Sequence, residues 1–170
     1  MPKEYWDILT ETGAKTGRIH ERGLPMREGE YHLSVTVWIR NSRGEFLISQ
    51  RAPTKNQPLM WEPTGGGVIA GEDGLTAALR EVREELGIEL CPDCGYVWRR
   101  YPWPHSDGSG AALIELWIFD HEAELSELTL CPEETCAAMW ANAEQIREMI
   151  SRGEMIPYTY TEDLLSETLS

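Results

Sequence analysis

Residues 65–88 read GGGVIAGEDGLTAALREVREELGI, a run of three glycines followed by a segment with the pattern of a helix. A helix is predicted from about Asp73 to Leu86, because Asp73 can cap the first turn and Gly87 can adopt the left-handed conformation that ends a helix. Apolar residues recur in this segment at helical spacing, which predicts a buried stripe. The residues of this stripe are Leu75, Leu79, Val82 and Leu86.

Three glutamates lie close together on the predicted helix. Glu81, Glu84 and Glu85 are spaced i, i+3 and i+4, so their side chains can point to one side. Carboxylates that close repel one another, and a hard divalent cation such as Mg²⁺ removes the repulsion. The glycines Gly65–Gly67 let the backbone pass close to a metal or a phosphate, and Arg80 can hold an acid in place. A solvated acidic helix face is the alternative, and the spacing of the whole segment decides between the two.

That spacing resembles the signature of the Nudix family, G-x5-E-x7-R-E-U-x-E-E-x-G-U, in which U is aliphatic. Gly66 is followed by five residues, Glu72, seven residues and the run REVREELGI, so the match covers the 23 residues 66–88. The resemblance implies an α/β/α sandwich with a mixed sheet. It also implies Mg²⁺-dependent hydrolysis of a diphosphate linkage, usually in a nucleoside diphosphate joined to another group, with Mn²⁺ able to substitute.

The resemblance assigns roles to individual residues of this segment. Glu81, Glu84 and Glu85 correspond to metal ligands, although one of them, often the position of Glu81, is assigned in the family as the base. Gly65 or Gly66 would lend a backbone carbonyl to the metal.

Further positions complete the implied site. Glu72 and Arg80 correspond to the pair that braces the loop against the helix, which gives Arg80 a supporting part in catalysis and leaves Gly87 a structural one. Some relatives take the general base from a later part of the chain. The residues that could serve here are Glu133, Glu134 and Glu115, for which ordinary surface acids are the alternative.

The N-terminal half resembles isopentenyl-diphosphate isomerase and the Nudix hydrolases closest to it, through WDILTETGAKTGRIHERG, YHLSVTVWI and SQRAPTKNQPLMWE. The positions of Arg51 and Lys55 grip the substrate diphosphate in the isomerase, and the position of His32 is a metal ligand there. His20 corresponds less closely to a second histidine of the isomerase. A structural role is the alternative for both histidines.

Departures from the isomerase favour a hydrolase. The isomerase needs a cysteine where this chain has the glycine run near Gly65. One of the metal-binding histidines of the isomerase corresponds to a position near Gly67, so this chain lacks that histidine as well. It keeps one of the clustered acids, near Glu85, whereas this chain keeps all three. The alternatives are an isomerase-like protein and a Nudix module that binds a diphosphate without cleaving it.

The rest of the chain predicts one domain over residues 1–170, of the α/β (α+β) class. YWDIL and GRIHE predict a hairpin within an N-terminal extension, residues 1–30, and YHLSVTVWIR with EFLISQR predicts a second hairpin. Strands are predicted at YVWRRYPW and ALIELWIFDHEA, and a second helix near AEQIREMISRG. The expected fold is a mixed sheet between two helices.

Aromatic residues offer surfaces for an organic group. Trp61, Trp103 and Trp117 could stack on a base or cover an apolar substrate, with core packing as the alternative, and Trp61 is predicted to bind substrate. RRYPWPHSDGSG is predicted to be an irregular loop near the site.

Composition excludes several partners. The net charge of −14 argues against binding to a nucleic-acid polymer, which needs a basic face. No apolar run approaches the roughly 20 residues of a membrane span, and the N-terminus lacks the pattern of a signal peptide, so a cytoplasmic protein is expected. Residues 1–60 carry nine Lys/Arg, enough to offer cations to a small anionic diphosphate. A homodimer stays open, since relatives often dimerise.

Four cysteines form two pairs, in CPDCG and CPEETC. Two such pairs could make a structural zinc site, and the first could be a redox pair. Reduced thiols without a metal are favoured, because the spacing of the second pair is loose and the cytosol keeps thiols reduced. The four residues are Cys91, Cys94, Cys131 and Cys136.

Overall fold

A computed structural model describes residues 2–168. Within this range the chain forms three α-helices and one nine-stranded sheet. The strands are β1 (Tyr5–Leu9), β2 (Lys15–Glu21), β3 (Tyr31–Arg40), β4 (Phe46–Arg51), β5 (Trp61–Glu62), β6 (Thr64–Gly67), β7 (Gly95–Pro104), β8 (Ala111–Asp120) and β9 (Thr135–Ala141). The helices are α1 (Gly74–Leu86), α2 (Ala143–Ser151) and α3 (Thr161–Thr168).

The long strand β3 organises the sheet. It runs parallel to β8 from the pair Tyr31–Ala111 to the pair Arg40–Asp120, and antiparallel to β4 and β6. The sheet is therefore mixed, as the sequence predicts. Successive side chains of a strand point to opposite faces, so the alternation in YHLSVTVWIR supplies apolar groups to both sides.

Helices cover both faces of the sheet. On one face, Val35, Val37 and Ile39 of β3 pack with Val82 and Leu86 of α1. On the other face, the core contains buried residues from the sheet and from α2 and α3, including Trp38, Phe46, Leu116, Ile146 and Leu164. This arrangement confirms the predicted α/β/α sandwich.

A change of partner along β3 opens a space at one end of the sheet. Ile39 and Arg40 pair with β4, whereas residues 34–37 pair with β6. Side chains from β3, β4, β5 and β6 can therefore surround a cavity, which holds the candidate site described below.

The structure confirms the two hairpins, the strands β7 and β8, and the helices α1 and α2 at the predicted places. It also contains β9 and α3, which the sequence did not predict, so the expectation of two helices is wrong for residues 2–168. The prediction of an irregular loop at RRYPWPHSDGSG is wrong for its first part, because β7 continues to Pro104. None of the helices in the described range is long and apolar enough to cross a membrane.

Candidate active site

Helix α1 is fixed at both ends by local contacts. The Asp73 carboxylate accepts a hydrogen bond from the backbone N–H of Thr76 at 2.7 Å, which satisfies a free donor of the first turn. Gly87 ends the helix with φ +72°, a conformation that glycine adopts without strain, and a Cβ there would collide with Thr129. Because Val82 and Leu86 are buried against the sheet, the orientation of the acids between them is set by packing.

Arg80 ties the helix to the glycine-rich loop. Its side chain is 15% exposed and donates to both carboxylate oxygens of Glu72, at 2.9 and 3.0 Å, and to the Gly67 carbonyl at 3.0 Å. The same guanidinium donates to Glu81 at 2.7 Å and to Glu84 at 3.3 Å. Such charge-assisted bonds hold loop and helix in one arrangement. Burial alone would raise the pKa of Glu72, but the hydrogen bonds from Arg80 leave that pKa below its usual value.

Glu85 lies among other acids. It lines a cavity of about 230 Å³ together with Glu62, Glu134 and Lys55. Burial raises the pKa of Glu85 to about 8, and the charges of Glu81, Glu62 and Glu134 add to the rise, which Lys55 opposes. The protein alone therefore does not compensate the negative charge at this position.

A second cavity, of about 440 Å³, adjoins the first. It shares Glu85, Lys55 and the three glycines with the first cavity. Glu81 and Glu84 line this second cavity. Burial raises the pKa of Glu81, against the opposing effect of Arg80. The structure thus brings the three predicted acids to two adjoining cavities.

The glycines of β6 allow the close approach of backbone and carboxylate. Gly65 and Gly66 pair with Thr36 and Val35 of β3 and line both cavities. A Cβ at Gly66 would collide with the carboxylate of Glu81. The position therefore needs a glycine if the acid is to lie where it does.

The oxygen atoms at these cavities are of the kind that bind a hard divalent cation. Carboxylates and backbone carbonyls are the ligands that Mg²⁺ accepts, and excess negative charge at Glu85 is what a cation would neutralise. In residues 2–168, no three His, Cys, Asp or Glu side chains stand ready as a metal-holding set. Glu81 and Glu84 are instead engaged by Arg80. A metal bound at the second cavity would therefore compete with Arg80 for these two carboxylates.

Basic groups from the N-terminal half face the same cavity. Arg51 donates to the Asn56 carbonyl at 2.7 Å and to the Glu62 carboxylate at 2.6 Å. Lys55 forms an ion pair with Glu134. Both cations lie within the first cavity, each held by an acid that an anionic ligand could replace.

The three acids predicted as alternative bases do not lie together. Glu133 and Glu134 line the second cavity. Glu115 is buried, forms an ion pair with Arg100, and accepts a hydrogen bond from Trp117 Nε1 at 3.1 Å. It is not among the residues that line either cavity.

The predicted histidines belong to an aromatic stack beside the site. The ring of His32 packs on Trp6 with centroids 3.8 Å apart, and its Nε2 lies 3.1 Å from Nε2 of His105. Burial lowers the pKa of His32 to about 4. Nε2 of His20 lies 3.0 Å from the Leu24 carbonyl. His32 and His20 are not among the lining residues of either cavity.

An aromatic cleft of about 430 Å³ adjoins the first cavity. Tyr101, Trp103 and Tyr158 line it, and it shares Thr36 and Arg51, among others, with the first cavity. Among the other tryptophans singled out in the sequence, Trp61 and Trp117 pack partly buried against the two cores.

Several residues that line these cavities were not predicted from the sequence, among them Tyr158 and Arg22. Tyr158 lies between α2 and α3 and donates from its hydroxyl to Glu62 at 3.2 Å. Arg22 follows β2 and lines the second cavity. No local pattern marked Tyr158, and Arg22 lies in the stretch WDILTETGAKTGRIHERG, where the resemblance assigned a role to His20 but not to Arg22.

All four cysteines are free thiols. Cys91 and Cys94 are exposed in the turn before β7. Cys131 lines the second cavity, and Cys136 lies beside β4, with Sγ 3.4 Å from the Arg51 carbonyl.

Comparisons with known proteins identify the family to which this chain is similar. Residues 30–163 match the NUDIX domain. An uncharacterised Nudix hydrolase of Listeria monocytogenes is 34% identical over 165 residues, which cover 96% of this chain and 94% of that protein. The isopentenyl-diphosphate Δ-isomerase of Escherichia coli is 24% identical over 148 residues, covering 86% of this chain and 81% of the isomerase. The crystal structure of DR0079 from Deinococcus radiodurans has a TM-score of 0.70 and 25% identity, and covers 96% of this chain and 98% of that one. These similarities confirm the predicted resemblance and fold.

Proposed function

The chain belongs to the Nudix family, and we propose that it is a Mg²⁺-dependent hydrolase acting on an organic diphosphate. The expected linkage is the diphosphate of a nucleoside diphosphate joined to another group, or of a related compound. The observation that carries this proposal is the setting of Glu85, an acid surrounded by acids in a cavity that also presents Arg51 and Lys55. A site with both signs of charge suits a metal and the phosphate oxygens bound to it.

Glu81, Glu84 and Glu85 would hold the metal, with a backbone carbonyl of Gly65 or Gly66 as a further ligand. When bound, Mg²⁺ would neutralise diphosphate oxygens and lower the pKa of a water molecule. Mn²⁺ is expected to substitute, since it accepts the same oxygen ligands.

The other groups would bind the substrate and move a proton. Arg51 and Lys55 would exchange their present carboxylate partners for phosphate oxygens, which arginine can grip with two parallel hydrogen bonds. The general base is proposed among Glu81, Glu133 and Glu134, which all line the second cavity. Glu115 is left out of this set because it is paired with Arg100 outside both cavities.

The organic group of the substrate would lie in the aromatic cleft. Trp103 is 47% exposed there, and a large ring left open to solvent gains stability from a stacking partner. The cleft adjoins Arg51, so a group placed on Trp103 can remain attached to a phosphate held by that arginine. Trp61, predicted from sequence for this role, packs on the core instead.

Isomerase chemistry is the second candidate, favoured by the similarity to the Escherichia coli enzyme. The isomerase that this chain resembles needs a cysteine where this chain has the glycine run, and Gly65–Gly67 have no side chain to replace it. A small-molecule diphosphate is the expected partner in either case, without a nucleic-acid polymer, and the cytoplasm is the proposed location.

The test is turnover of a diphosphate panel with Mg²⁺, comparing the wild-type protein with Glu85→Gln. The panel contains nucleotide sugars, ADP-ribose, dinucleoside polyphosphates, oxidised nucleotides and isopentenyl diphosphate, and phosphate-containing products are measured. Glu89→Gln is the matched control, because Glu89 is an exposed acid just beyond the helix. We expect one compound to be cleaved by wild type and Glu89→Gln but not by Glu85→Gln or without metal. Conversion of isopentenyl diphosphate to its isomer, without cleavage of any compound, would contradict the proposal.

A further inference from the structure

The N-terminal hairpin precedes residues 30–163, which match the family model, although the alignment with the Listeria monocytogenes hydrolase covers 96% of the chain. It nevertheless reaches the site, because Arg22 and Glu4 line the second cavity together with Glu81 and Glu84. We propose that Arg22, at the end of this hairpin, is a substrate-binding residue that binds a phosphate oxygen of the substrate. This inference rests on the proposed function, since it assumes a phosphate-bearing ligand in that cavity.

The hairpin is fastened to the loop that precedes α1. Ala70 N–H donates to the Tyr5 carbonyl at 2.8 Å, and Gly71 N–H donates to the Asp7 carboxylate at 2.9 Å. Lys15 forms an ion pair with the same Asp7 at 2.7 Å. The hairpin and the loop that carries Glu72 therefore form one unit, so Arg22 has a defined place relative to the acids of α1.

A second attachment joins the hairpin to the central strand. Trp6 stacks on His32 of β3, with an interplanar angle of 9°, and Leu9 pairs with Tyr31. Trp6 also packs near Gly67, where a Cβ would come within 3.1 Å of the indole nitrogen. These contacts hold the base of the hairpin against the glycine strand of the site.

Arg22 is the most available of the basic side chains that line the second cavity. Its side chain is 56% exposed, against 33% for Lys55 and 15% for Arg80. Arg80 is occupied by several acceptors within the loop and helix, as described above. Arg22 has an ion pair with Glu4, 2.5 Å from Nη1 to Oε2, and Glu4 is itself 47% exposed.

The pair between Arg22 and Glu4 is easily exchanged for a stronger one. An exposed ion pair contributes little to stability, whereas arginine and phosphate can form two parallel charge-assisted hydrogen bonds. Arg22 lines the same cavity as Glu81 and Glu84, so it borders the space in which a phosphate bound to a metal at these acids would lie.

The test measures binding of inorganic pyrophosphate in the presence of Mg²⁺ by calorimetry, without turnover of an organic substrate. Arg22→Gln is compared with Arg18→Gln, which removes the same charge from β2 of the same hairpin. Arg18 is 54% exposed, pairs with Glu30, and is not among the residues that line the cavity. Thermal unfolding of each variant establishes that the hairpin remains folded.

Loss of a charged hydrogen-bond pair predicts that Arg22→Gln binds pyrophosphate roughly tenfold to a hundredfold more weakly. Arg18→Gln is expected to bind within about twofold of wild type, because a solvent-exposed charge at a distance is screened. Glu4→Gln is expected to bind more tightly, since it frees Arg22. Equal affinities of Arg22→Gln and Arg18→Gln would overturn the inference. Failure of the hydrolase proposal would appear separately, as the lack of turnover of the organic diphosphates.

Discussion

Replacement of Glu85 by glutamine is expected to stabilise the metal-free protein while removing its activity. The folded protein holds the pKa of Glu85 at about 8, whereas an unfolded chain has the ordinary value of 4.5. Between these two values the unfolded state releases a proton that the folded state keeps. Stability therefore falls as the pH rises from 4.5 to 8, and the penalty is largest above pH 8.

The size of this effect follows from the pKa difference. One pH unit corresponds to about 1.4 kcal/mol, so 2.5 units between pH 4.5 and 7 give a penalty of about 3 kcal/mol at pH 7. Glutamine carries no charge and avoids the penalty. A gain of this size raises the melting temperature of a domain of 170 residues by roughly 6 to 12 °C.

The assay is thermal and urea unfolding in EDTA at pH 7 and pH 5, for wild type, Glu85→Gln and the exposed-acid control Glu89→Gln. At pH 5 the free energy of unfolding of Glu85→Gln should exceed that of wild type by less than about 1 kcal/mol. Glu89→Gln should have nearly the same free energy of unfolding as wild type at either pH. Added Mg²⁺ should stabilise wild type more than Glu85→Gln, because a cation binds the folded form that keeps the carboxylate. A Glu85→Gln protein no more stable than wild type at pH 7 would refute the reasoning.

Three further predictions concern neighbouring features. Burial holds the pKa of His32 at about 4, so the unfolded chain takes up a proton between pH 6.5 and 5 that the folded protein does not. The free energy of unfolding, measured with urea, should therefore fall by about 2 kcal/mol more for wild type than for His32→Gln over this range. Equal decreases for the two proteins would contradict this prediction. Gly66→Ala would place a Cβ against the Glu81 carboxylate and force it aside. The affinity of the protein for Mn²⁺ should therefore fall at least about tenfold. An unchanged affinity would contradict this prediction. Serine at both Cys91 and Cys94, which are exposed, should leave zinc content and thermal unfolding unchanged, and loss of bound zinc would instead support a structural site.

Local signals in the sequence predicted much of the fold. The cap residue Asp73 and the terminating Gly87 delimit α1 in the sequence and in the structure alike. Strand β9 escaped prediction because TCAAMWA has small residues and little alternation, and it depends on pairing with β4, for example Ala138 with Ser49. Helix α3 has only eight residues, and its burial through Leu164 and Leu165 is decided by tertiary packing.

The candidate site was predictable where its residues share one segment. The glutamates of α1 and the glycines of β6 follow a fixed spacing, and the structure places them at the same cavities. Arg22 and Tyr158 come from opposite ends of the chain and meet the site through tertiary contacts. The stack of Trp6, His32 and His105 has the same origin, since no spacing rule links these positions.

Binding of Mn²⁺ to the metal-free protein, followed by electron paramagnetic resonance, tests the central claim most directly because it requires no knowledge of the substrate. Wild type and Glu89→Gln should bind the ion with the same affinity, and Glu81→Gln, Glu84→Gln and Glu85→Gln should each bind it more weakly. Equal binding by all five proteins, or no binding by wild type, would contradict the claim that the acids of α1 form the metal centre of a hydrolase.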